Sequence, residues 1–279
     1  AGRIRQRFGG RVRIVLWSTP SDAAWVDEVS GHDAIVNLAG AQAVGTRFTV
    51  GRKQEIRNSR VKNTRDLVDA LSRARVRPSR LISGSAVGYY GPLSPGTEVD
   101  ETSLGGAGFL AELCHEWEQS ALAAEALGVS VALARLGVVL GQGGGALEVM
   151  TRPFRLGIGG WIGSGRQDVS FISLSDAVRA LRFCIDQPAL RGPVNLTTPH
   201  PTTAKEMAKK IGGTLHMPNW LPVPALALRA LFGEGADSLL TGQRVLPRVL
   251  ERLGFEWCHP TIELALKSAL APDARVDAV

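Results

Sequence analysis

One stretch, residues 80–91, constrains the fold of this chain more than any other. It reads RLISGSAVGYYG, so a short apolar run gives way to small and hydroxyl-bearing residues and ends with the only two tyrosines of the chain. A continuous apolar run is typical of a buried parallel strand, and ligands of open α/β sheets sit beyond the carboxyl ends of such strands. The stretch therefore predicts a core strand that leads into a binding or active site, although a core strand followed by an ordinary glycine-rich turn would show the same pattern.

Strand and helix patterns alternate along the first half of the chain. Residues 11–17 and 33–40 read as strands, residues 50–75 and 109–126 as amphipathic helices, and residues 129–140 as a further buried strand. This alternation predicts a doubly wound α/β fold built on a parallel sheet.

The composition of the sequence changes from Met150 onward. Residues 153–165 contain five glycines and two large aromatic side chains, which favours a loop or hairpin around a ligand over a core element. Residues 175–186 then read as an amphipathic helix and residues 193–196 as a strand, and residues 222–270 are predicted to be mostly helical.

Composition and charge exclude several classes of function. The 279 residues are 44% hydrophobic and 21% charged, as in ordinary globular proteins. No apolar run reaches the roughly 18 residues of a membrane span, and the first residues lack the apolar segment of a secretory signal. We therefore expect a soluble cytoplasmic protein without a membrane partner.

The reactive and charged residues are dispersed as well. The three cysteines and five histidines are scattered, which predicts reduced, mostly buried thiols and no metal site. The net charge of +6 is spread along helices without interleaved aromatics, which argues against nucleic-acid binding and suits an anionic small ligand.

One glycine-rich run imitates a dinucleotide fingerprint. Residues 141–146 (GQGGGA) satisfy G-x-G-x-x-G/A after a strand and before a helix. About 20 positions further on, the fingerprint needs an acidic residue at the end of a strand, whereas Gly165 and Arg166 stand there. We therefore reject this run as the fingerprint.

Six segments, in order over nearly the whole chain, resemble the extended type of the short-chain dehydrogenase/reductase superfamily, and most closely its bacterial epimerase-family subgroup. They are NLAG (37–40), LISGSAVGYYG (81–91), FLAELCHEWE (109–118), RLGVVLGQGGGAL (135–147), PFRLGIGGWIGSGRQ (153–167) and GQRVLPRVLERLGF (242–255). The resemblance implies an NAD(P)-binding Rossmann-like domain over residues 1–150 and a smaller, mainly substrate-side domain over residues 151–279. Residues 168–190 of the latter would pack back on the Rossmann sheet.

The resemblance also implies a cofactor, NADP or NAD, and a set of site residues. The implied cofactor-binding residues are Asn37, Leu38, Ala39, Gly40, Ser83, Gly84, Arg135, Gly137 and Val138. The implied substrate-side residues are Phe154, Arg155, Trp161 and Asp176. For Arg135 a structural ion pair behind the sheet is the alternative, and for Asp176 it is a helix cap. A homodimer is the assembly that the resemblance implies.

The amino end departs from the family pattern. The family starts with a strand, a glycine-rich loop and a helix, and this start, about 30 residues long, is absent from the given sequence. That loop supplies much of the pyrophosphate binding. We therefore expect cofactor binding to be weakened and apolar sheet surface to be exposed.

The catalytic pair departs from the pattern too. Short-chain dehydrogenases move a proton with a helical Tyr-x-x-x-Lys pair, and Leu110 and Cys114 stand at the aligned positions. Ser85 matches the superfamily's catalytic-strand serine, and Tyr89 or Tyr90 could reach the same space, so these three are the candidate catalytic residues. The glutamates of the same helix, including Glu118, are expected on its solvated face or packed at its end.

The expected function is an NADP-dependent oxidoreductase or epimerase acting on an unidentified small molecule, a carbonyl or sugar-like compound. The alternative is a protein that binds NADP(H) without turnover, as a sensor or partner-binding module, because the Tyr-x-x-x-Lys pair is missing.

Overall fold

The computed structural model describes Gly2, residues 8–15 and residues 23–271. Its strands are β1 Ala34–Asn37, β2 Arg80–Ala86, β3 Glu98–Val99, β4 Ser130–Leu136, β5 Val138–Leu140, β6 Asp168–Val169, β7 Phe171–Ser173, β8 Gly192–Leu196, β9 Thr202–Thr203 and β10 Arg244–Val245. Its α-helices are α1 Ala23–Val29, α2 Val50–Arg57, α3 Asn63–Arg73, α4 Phe109–Leu122, α5 Gly145–Arg155, α6 Leu174–Asp186, α7 Ala204–Leu215, α8 Ala225–Phe232, α9 Asp237–Leu240, α10 Arg248–Arg252 and α11 Ile262–Leu270.

A four-stranded parallel sheet in the order β1-β2-β4-β8 forms the centre of the fold. Its register aligns three polar residues across neighbouring strands, because Ser85 of β2 lies opposite Arg135 of β4, and Arg135 lies opposite Asn195 of β8. All three are buried near the carboxyl ends of their strands. The sheet therefore carries a row of buried polar side chains at the edge where ligands of α/β proteins bind.

Helices cover both faces of this sheet. On one face, Leu67 and Leu71 of α3 pack with Ala121 of α4 against apolar side chains of β2 and β4. On the other face, Ala177 and Ala180 of α6 pack against the same two strands. The predicted doubly wound α/β fold is confirmed by this arrangement.

A third apolar cluster lies beside the sheet and joins the later elements. Phe154 of α5, Ile211 of α7 and Leu266 of α11 pack there with Phe171 of β7. The predicted division into residues 1–150 and 151–279 stays a prediction.

The outer edge of β1 pairs with no strand in the part of the chain that the structure describes. Val36 and Leu38 on and beside this strand are 40% and 49% exposed. The strand predicted over residues 11–17 is wrong for its described part, because a 3₁₀ turn at Gly9–Arg11 is followed by residues 12–15 without strand pairing. Leu16 and Trp17 lie outside the described residues.

Two predicted elements are interrupted, and a third prediction is wrong at its start. The helix over residues 50–75 is broken by a π-helical turn at Asn58–Lys62. The strand over residues 129–140 is divided at Gly137, where an added Cβ would lie 2.7 Å from the carbonyl oxygen of Ser170. Residues 153–155 belong to α5 and not to a loop, because the helix continues through Pro153.

Candidate active site

The end of β2 is built from small buried residues so that α4 can approach it closely. A Cβ on Gly84 would lie 3.0 Å from the ring of Trp117 and 3.2 Å from the carbonyl oxygen of Asn37. Ser83 and Ser85 on either side are 0% and 2% exposed. The helix is thereby held against the strand that leads to the two tyrosines.

The hydroxyl of Ser85 donates a hydrogen bond to Glu118 Oε1 over 2.6 Å. Glu118 also accepts from Arg135, with 2.8 Å from Nε to Oε1 and 2.9 Å from Nη2 to Oε2. Their side chains are only 5% and 4% exposed. The expectation that Glu118 lies on a solvated helix face or at the helix end is therefore wrong, because its carboxylate faces the sheet and neutralises a buried guanidinium.

Arg135 bridges this ion pair to both tyrosines. Its Nη1 donates to the hydroxyl of Tyr90 over 3.0 Å, and its Cζ lies 3.5 Å from the centroid of the Tyr89 ring. Burial disfavours the charged guanidinium, but the bonds and charge of Glu118 outweigh it and raise the pKa of Arg135. Because all three guanidinium nitrogens are bonded to protein groups, Arg135 lies beneath the site, which differs from its expected place on the cofactor surface.

The two candidate tyrosines differ in accessibility. Tyr90 is 1% exposed, and its hydroxyl donates to Asn195 Oδ1 over 2.8 Å while accepting from Arg135. Tyr89 is half-buried, and no hydrogen bond of its hydroxyl occurs within the described residues. Of the two, Tyr89 alone has a hydroxyl that remains available to a ligand.

Asn195 and Glu101 extend the polar network toward residues 246–249. Neither was predicted from the sequence as a site residue. The backbone N–H groups of Asn195 and Val249 donate to Glu101 Oε1 over 2.9 and 3.2 Å, and Asn195 Nδ2 donates to the carbonyl of Leu246. Burial raises the pKa of Glu101, against the effect of these backbone bonds. The sequence signal for Asn195 is an Asn inside the otherwise apolar strand β8.

The burial of Tyr90 makes stability depend on alkaline pH. Burial raises the pKa of Tyr90 from 10.0 to about 12, although Arg135 opposes the shift. This contribution is fully present below pH 10 and is lost as pH rises through the pKa of the folded state, because the unfolded chain ionises first. We expect the free energy of unfolding to fall by about 2 kcal/mol between about pH 9 and about pH 11.5. Urea unfolding at both pH values measures this fall, and Tyr90→Phe should lack it.

The predicted cofactor residues at the end of β1 surround an unexpected arginine. A Cβ on Gly40 would lie 2.9 Å from Arg60 Cζ, and Arg60 Nη1 donates to the carbonyl of Ala41 over 2.8 Å. Ser59 Oγ accepts from the N–H of Ala41 over 2.9 Å. Both residues belong to the π-helical turn, and π-helical turns are frequent at functional sites.

Arg60 carries an uncompensated charge. Burial lowers its pKa, the nearby Arg52 contributes in the same direction, and no carboxylate pairs with it within the described ranges. Its guanidinium lies 5.3 Å over the Trp117 ring. A half-buried, unpaired cation beside the exposed residues Leu38 and Ala39 fits the phosphates of a dinucleotide at this edge of the sheet.

Asn37, Gly137 and Val138 shape the backbone of the predicted cofactor site. Asn37 Nδ2 donates to Thr64 Oγ1 over 3.0 Å, which fixes the end of β1 against α3. The N–H of Gly137 donates to Leu196 O over 3.1 Å. Val138 begins β5, which pairs with β7.

The predicted substrate-side residues differ in burial. Phe154 is 2% exposed within the third apolar cluster, so its expected place in a ligand-wrapping loop is wrong. Arg155 is exposed at the end of α5. Trp161 is partly buried, with the amino group of Lys205 lying 5.0 Å over its ring.

Asp176 is fully buried at the start of α6, where it holds the segment before α11. It accepts from the N–H groups of Cys258 and His259, each over 2.9 Å, and from Arg179 over 3.1 Å. The alternative of a structural role at the helix start therefore agrees with its contacts better than a place in the pocket.

Asp176→Asn should destabilise the fold. An amide turns its NH2 group, a donor, toward one of the two backbone N–H groups and loses the charge that pairs with Arg179, so the free energy of unfolding is expected to fall by about 1–3 kcal/mol. Urea denaturation measures this loss. The matched control is Asp186→Asn on the same helix, whose side chain is 62% exposed and whose change should be within about 0.5 kcal/mol. Equal effects of both substitutions would contradict the structural role.

The cysteines differ in reactivity. Burial raises the pKa of Cys114 and of Cys184 to about 12 in each case, whereas Cys258 is exposed. Because the thiolate is the reactive form, we expect a thiol reagent such as DTNB to titrate one thiol of the native chain and three after denaturation. Rapid native titration of more than one thiol would contradict this burial.

Two further observations concern metal ions and membranes. Over the described ranges, no three His, Cys, Asp or Glu side chains are grouped so that they could hold a metal ion. None of the helices in the same ranges has the length and apolar character that crossing a membrane requires.

Comparison with known proteins agrees with this geometry. The model of the NAD dependent epimerase/dehydratase family matches residues 10–196, and that of a domain of unknown function (DUF1731) matches residues 223–269. Epimerase family protein Mb2239 of Mycobacterium bovis is 44% identical over 95% of this chain and 87% of its own length. The chloroplastic epimerase family protein SDR39U1 homolog of Arabidopsis thaliana is 43% identical over 89% of this chain and 72% of its own length.

A solved structure supports the same assignment. The crystal structure of human epimerase family protein SDR39U1 (isoform 2) with NADPH matches with a TM-score of 0.84 and 31% identity, over 96% of this chain and 94% of that chain. The resemblance inferred from the sequence is therefore confirmed, with a nicotinamide dinucleotide as the family's cofactor, and the chain belongs to the NAD dependent epimerase/dehydratase family.

Proposed function

We propose that the chain is an NADP-dependent oxidoreductase or epimerase that acts on a small carbonyl or sugar-like compound, with Tyr89 as its proton-transfer group. The bound dinucleotide supplies the hydride chemistry. The observation that carries the proposal is the half-buried Tyr89, whose hydroxyl has no hydrogen-bond partner in the described ranges while its ring rests on Arg135. A positioned side chain with a free hydroxyl is what general acid–base catalysis requires.

The residues at the carboxyl ends of the strands would hold the cofactor. The exposed backbone of residues 38–40 would lie along the dinucleotide, with Ser83 and Gly84 as the floor of the groove. Arg60 would pair with a phosphate, because it is a cation without a carboxylate partner over the described ranges. NADP is preferred over NAD because the human relative was crystallised with NADPH.

Ser85 and Tyr90 take supporting roles in this proposal. The Ser85 hydroxyl is buried and donates to Glu118, so it contributes to holding α4 and β2 and does not contact the substrate. Tyr90 orients Arg135 from the opposite side through its hydroxyl. Of the three predicted catalytic residues, Tyr89 is therefore the one that we propose for proton transfer.

A nicotinamide titration followed by thermal unfolding tests the cofactor half of the proposal. NADPH at about 100 times its Kd should stabilise the chain by about 2.7 kcal/mol, with a smaller effect of NADH at equal concentration. Arg60→Gln should weaken NADPH binding by about tenfold or more, since it removes a charged hydrogen-bond donor. The matched control is Arg65→Gln on the exposed side of α3. Equal NADPH affinity in both variants would remove Arg60 from the site.

A substrate panel tests the catalytic half. NADPH oxidation or NADP reduction over carbonyl compounds, alcohols and sugar nucleotides should reveal at least one substrate. Binding of NADPH without turnover of any member would count against an enzyme.

That outcome would favour the second candidate, a protein that binds NADP(H) as a sensor or partner-binding module. The observation in its favour is that Ser85 and Tyr90 are both buried and bonded within the protein. Residues 110 and 114 are Leu and Cys where the superfamily's pair belongs. A protein partner gained or lost with NADPH, without hydride transfer, would support it.

The remaining expectations carry over as parts of the proposal. Small-molecule substrates, no nucleic-acid partner, a homodimer and a cytoplasmic location all stay predictions. The plant relative is described as chloroplastic, so location differs among members of the family.

A further inference from the structure

We propose that Glu118 is a positioning residue, which fixes Tyr89 for proton transfer by holding the guanidinium of Arg135 in one plane. The inference rests on the proposed function, because it assigns the support of the same proton-transfer group. Glu118 itself touches neither tyrosine through a hydrogen bond. It acts through Arg135 alone.

The guanidinium group of Arg135 is flat. Three of its bonds lie in its own plane, from Nε and Nη2 to the two oxygens of Glu118 and from Nη1 to the Tyr90 hydroxyl. Because three bonds hold the guanidinium plane, the direction in which its flat face points is fixed. The central atom of the guanidinium, Cζ, lies 3.5 Å from the centroid of the Tyr89 ring, so the orientation of the ring follows from the carboxylate bonded at the edge of the cation.

The position of Glu118 is in turn set by two elements. It projects from α4, which packs against β2 through Trp117 and Gly84, and the Ser85 hydroxyl donates to the same oxygen that Arg135 Nε binds. Strand β2, helix α4 and strand β4 are therefore joined at one carboxylate. A shift of any of the three would turn the guanidinium.

Stability alone is a weak reason for such a pair. Two buried charges lose their hydration, and apolar residues of similar volume often hold a fold as well. Here the pair places the guanidinium of Arg135 over the ring of Tyr89, while Cys114, and not a lysine, stands at the superfamily's cationic position. The cation comes from the sheet instead of the helix, and Glu118 is the helix residue that orients it.

The two tyrosines of the chain give a direct readout that does not need a substrate. Carbon-13 labelling of tyrosine yields two sets of ring signals, which Tyr89→Phe and Tyr90→Phe assign. In the full chain with NADPH, Glu118→Gln should move and broaden the Tyr89 signals. Arg135→Lys should do the same, because it keeps the charge but loses the flat face.

Kinetics provide the second readout. With the best substrate of the panel, Glu118→Gln should lower kcat by about tenfold or more and leave KM within about twofold. The matched control is Glu116→Gln, two residues earlier on α4, whose carboxylate pairs with Arg57 and whose side chain is 38% exposed. It should change neither the Tyr89 signals nor kcat.

The outcomes separate this inference from the function on which it rests. Failure of the unchanged chain to bind NADPH would overturn the proposed function and the catalytic purpose of Glu118 with it. NADPH binding together with unmoved Tyr89 signals in a folded Glu118→Gln chain would overturn this inference alone. If Arg135→Lys leaves the Tyr89 signals in place, then the charge of residue 135, and not the fixed plane of the guanidinium, positions the Tyr89 ring. That result would also overturn this inference.

Discussion

Replacing Arg135 by Met is expected to lower the free energy of unfolding by about 3–5 kcal/mol, because it leaves the Glu118 carboxylate buried without its cation. The side chains of this pair are 4% and 5% exposed, so water cannot replace the lost partner. The substitution also removes the donor to Tyr90. Urea unfolding followed by tryptophan fluorescence measures the loss.

The control for this prediction is a second ion pair, whose glutamate lies on α4 as Glu118 does. Arg57→Met breaks the pair with Glu116, whose side chains are both 38% exposed, and should cost no more than about 1 kcal/mol. The double substitution Arg135→Met with Glu118→Leu should recover much of the loss, since no uncompensated charge remains. A single Arg135→Met chain as stable as the unchanged one would contradict the burial of the pair.

Tyr89→Phe is expected to lower kcat by about 10²–10⁴-fold, the range that a positioned acid or base contributes. The change removes one hydroxyl and keeps the ring that stacks on Arg135. Absorbance of NADPH during turnover of the panel substrate measures the effect. NADPH affinity should stay within about twofold.

The same variant contains its own stability control. Since the Tyr89 hydroxyl makes no hydrogen bond within the described residues, its removal should change the free energy of unfolding by no more than about 0.5 kcal/mol. A large loss of stability would mean that the hydroxyl has a structural role. Unchanged kcat in a stable variant would remove Tyr89 from the chemistry.

The fold could be predicted from periodicity because continuous apolar runs indicate the buried strands of the sheet. Strand β2 is buried over six of its seven residues, and such a run has few alternatives in an α/β chain. Boundaries were harder to predict. Helix α5 runs through Pro153 because the apolar contacts of Phe154 with the third cluster outweigh the local tendency of proline to end a helix.

The candidate site could be predicted only in part, because its polar contacts come from register. Ser85, Arg135 and Asn195 are far apart in sequence and become neighbours only through strand pairing. Glu116 and Glu118 flank the apolar Trp117 on opposite sides of the helix, so the helical period alone does not decide which of the two glutamates faces the sheet. The π-helical turn that presents Arg60 has no signal in the sequence that separates it from a regular helix.

The hydrogen bonds of Glu101 and Asn195 affect how the molecule unfolds. One oxygen of Glu101 accepts from a strand of the central sheet and from the turn that starts α10, while the side chain of Asn195 bonds to Tyr90 and to Leu246. Loosening of the segment after β10 would leave the buried carboxylate of Glu101 and the amide of Asn195 each short of one partner. We therefore expect the segment and the tyrosine end of the sheet to open together.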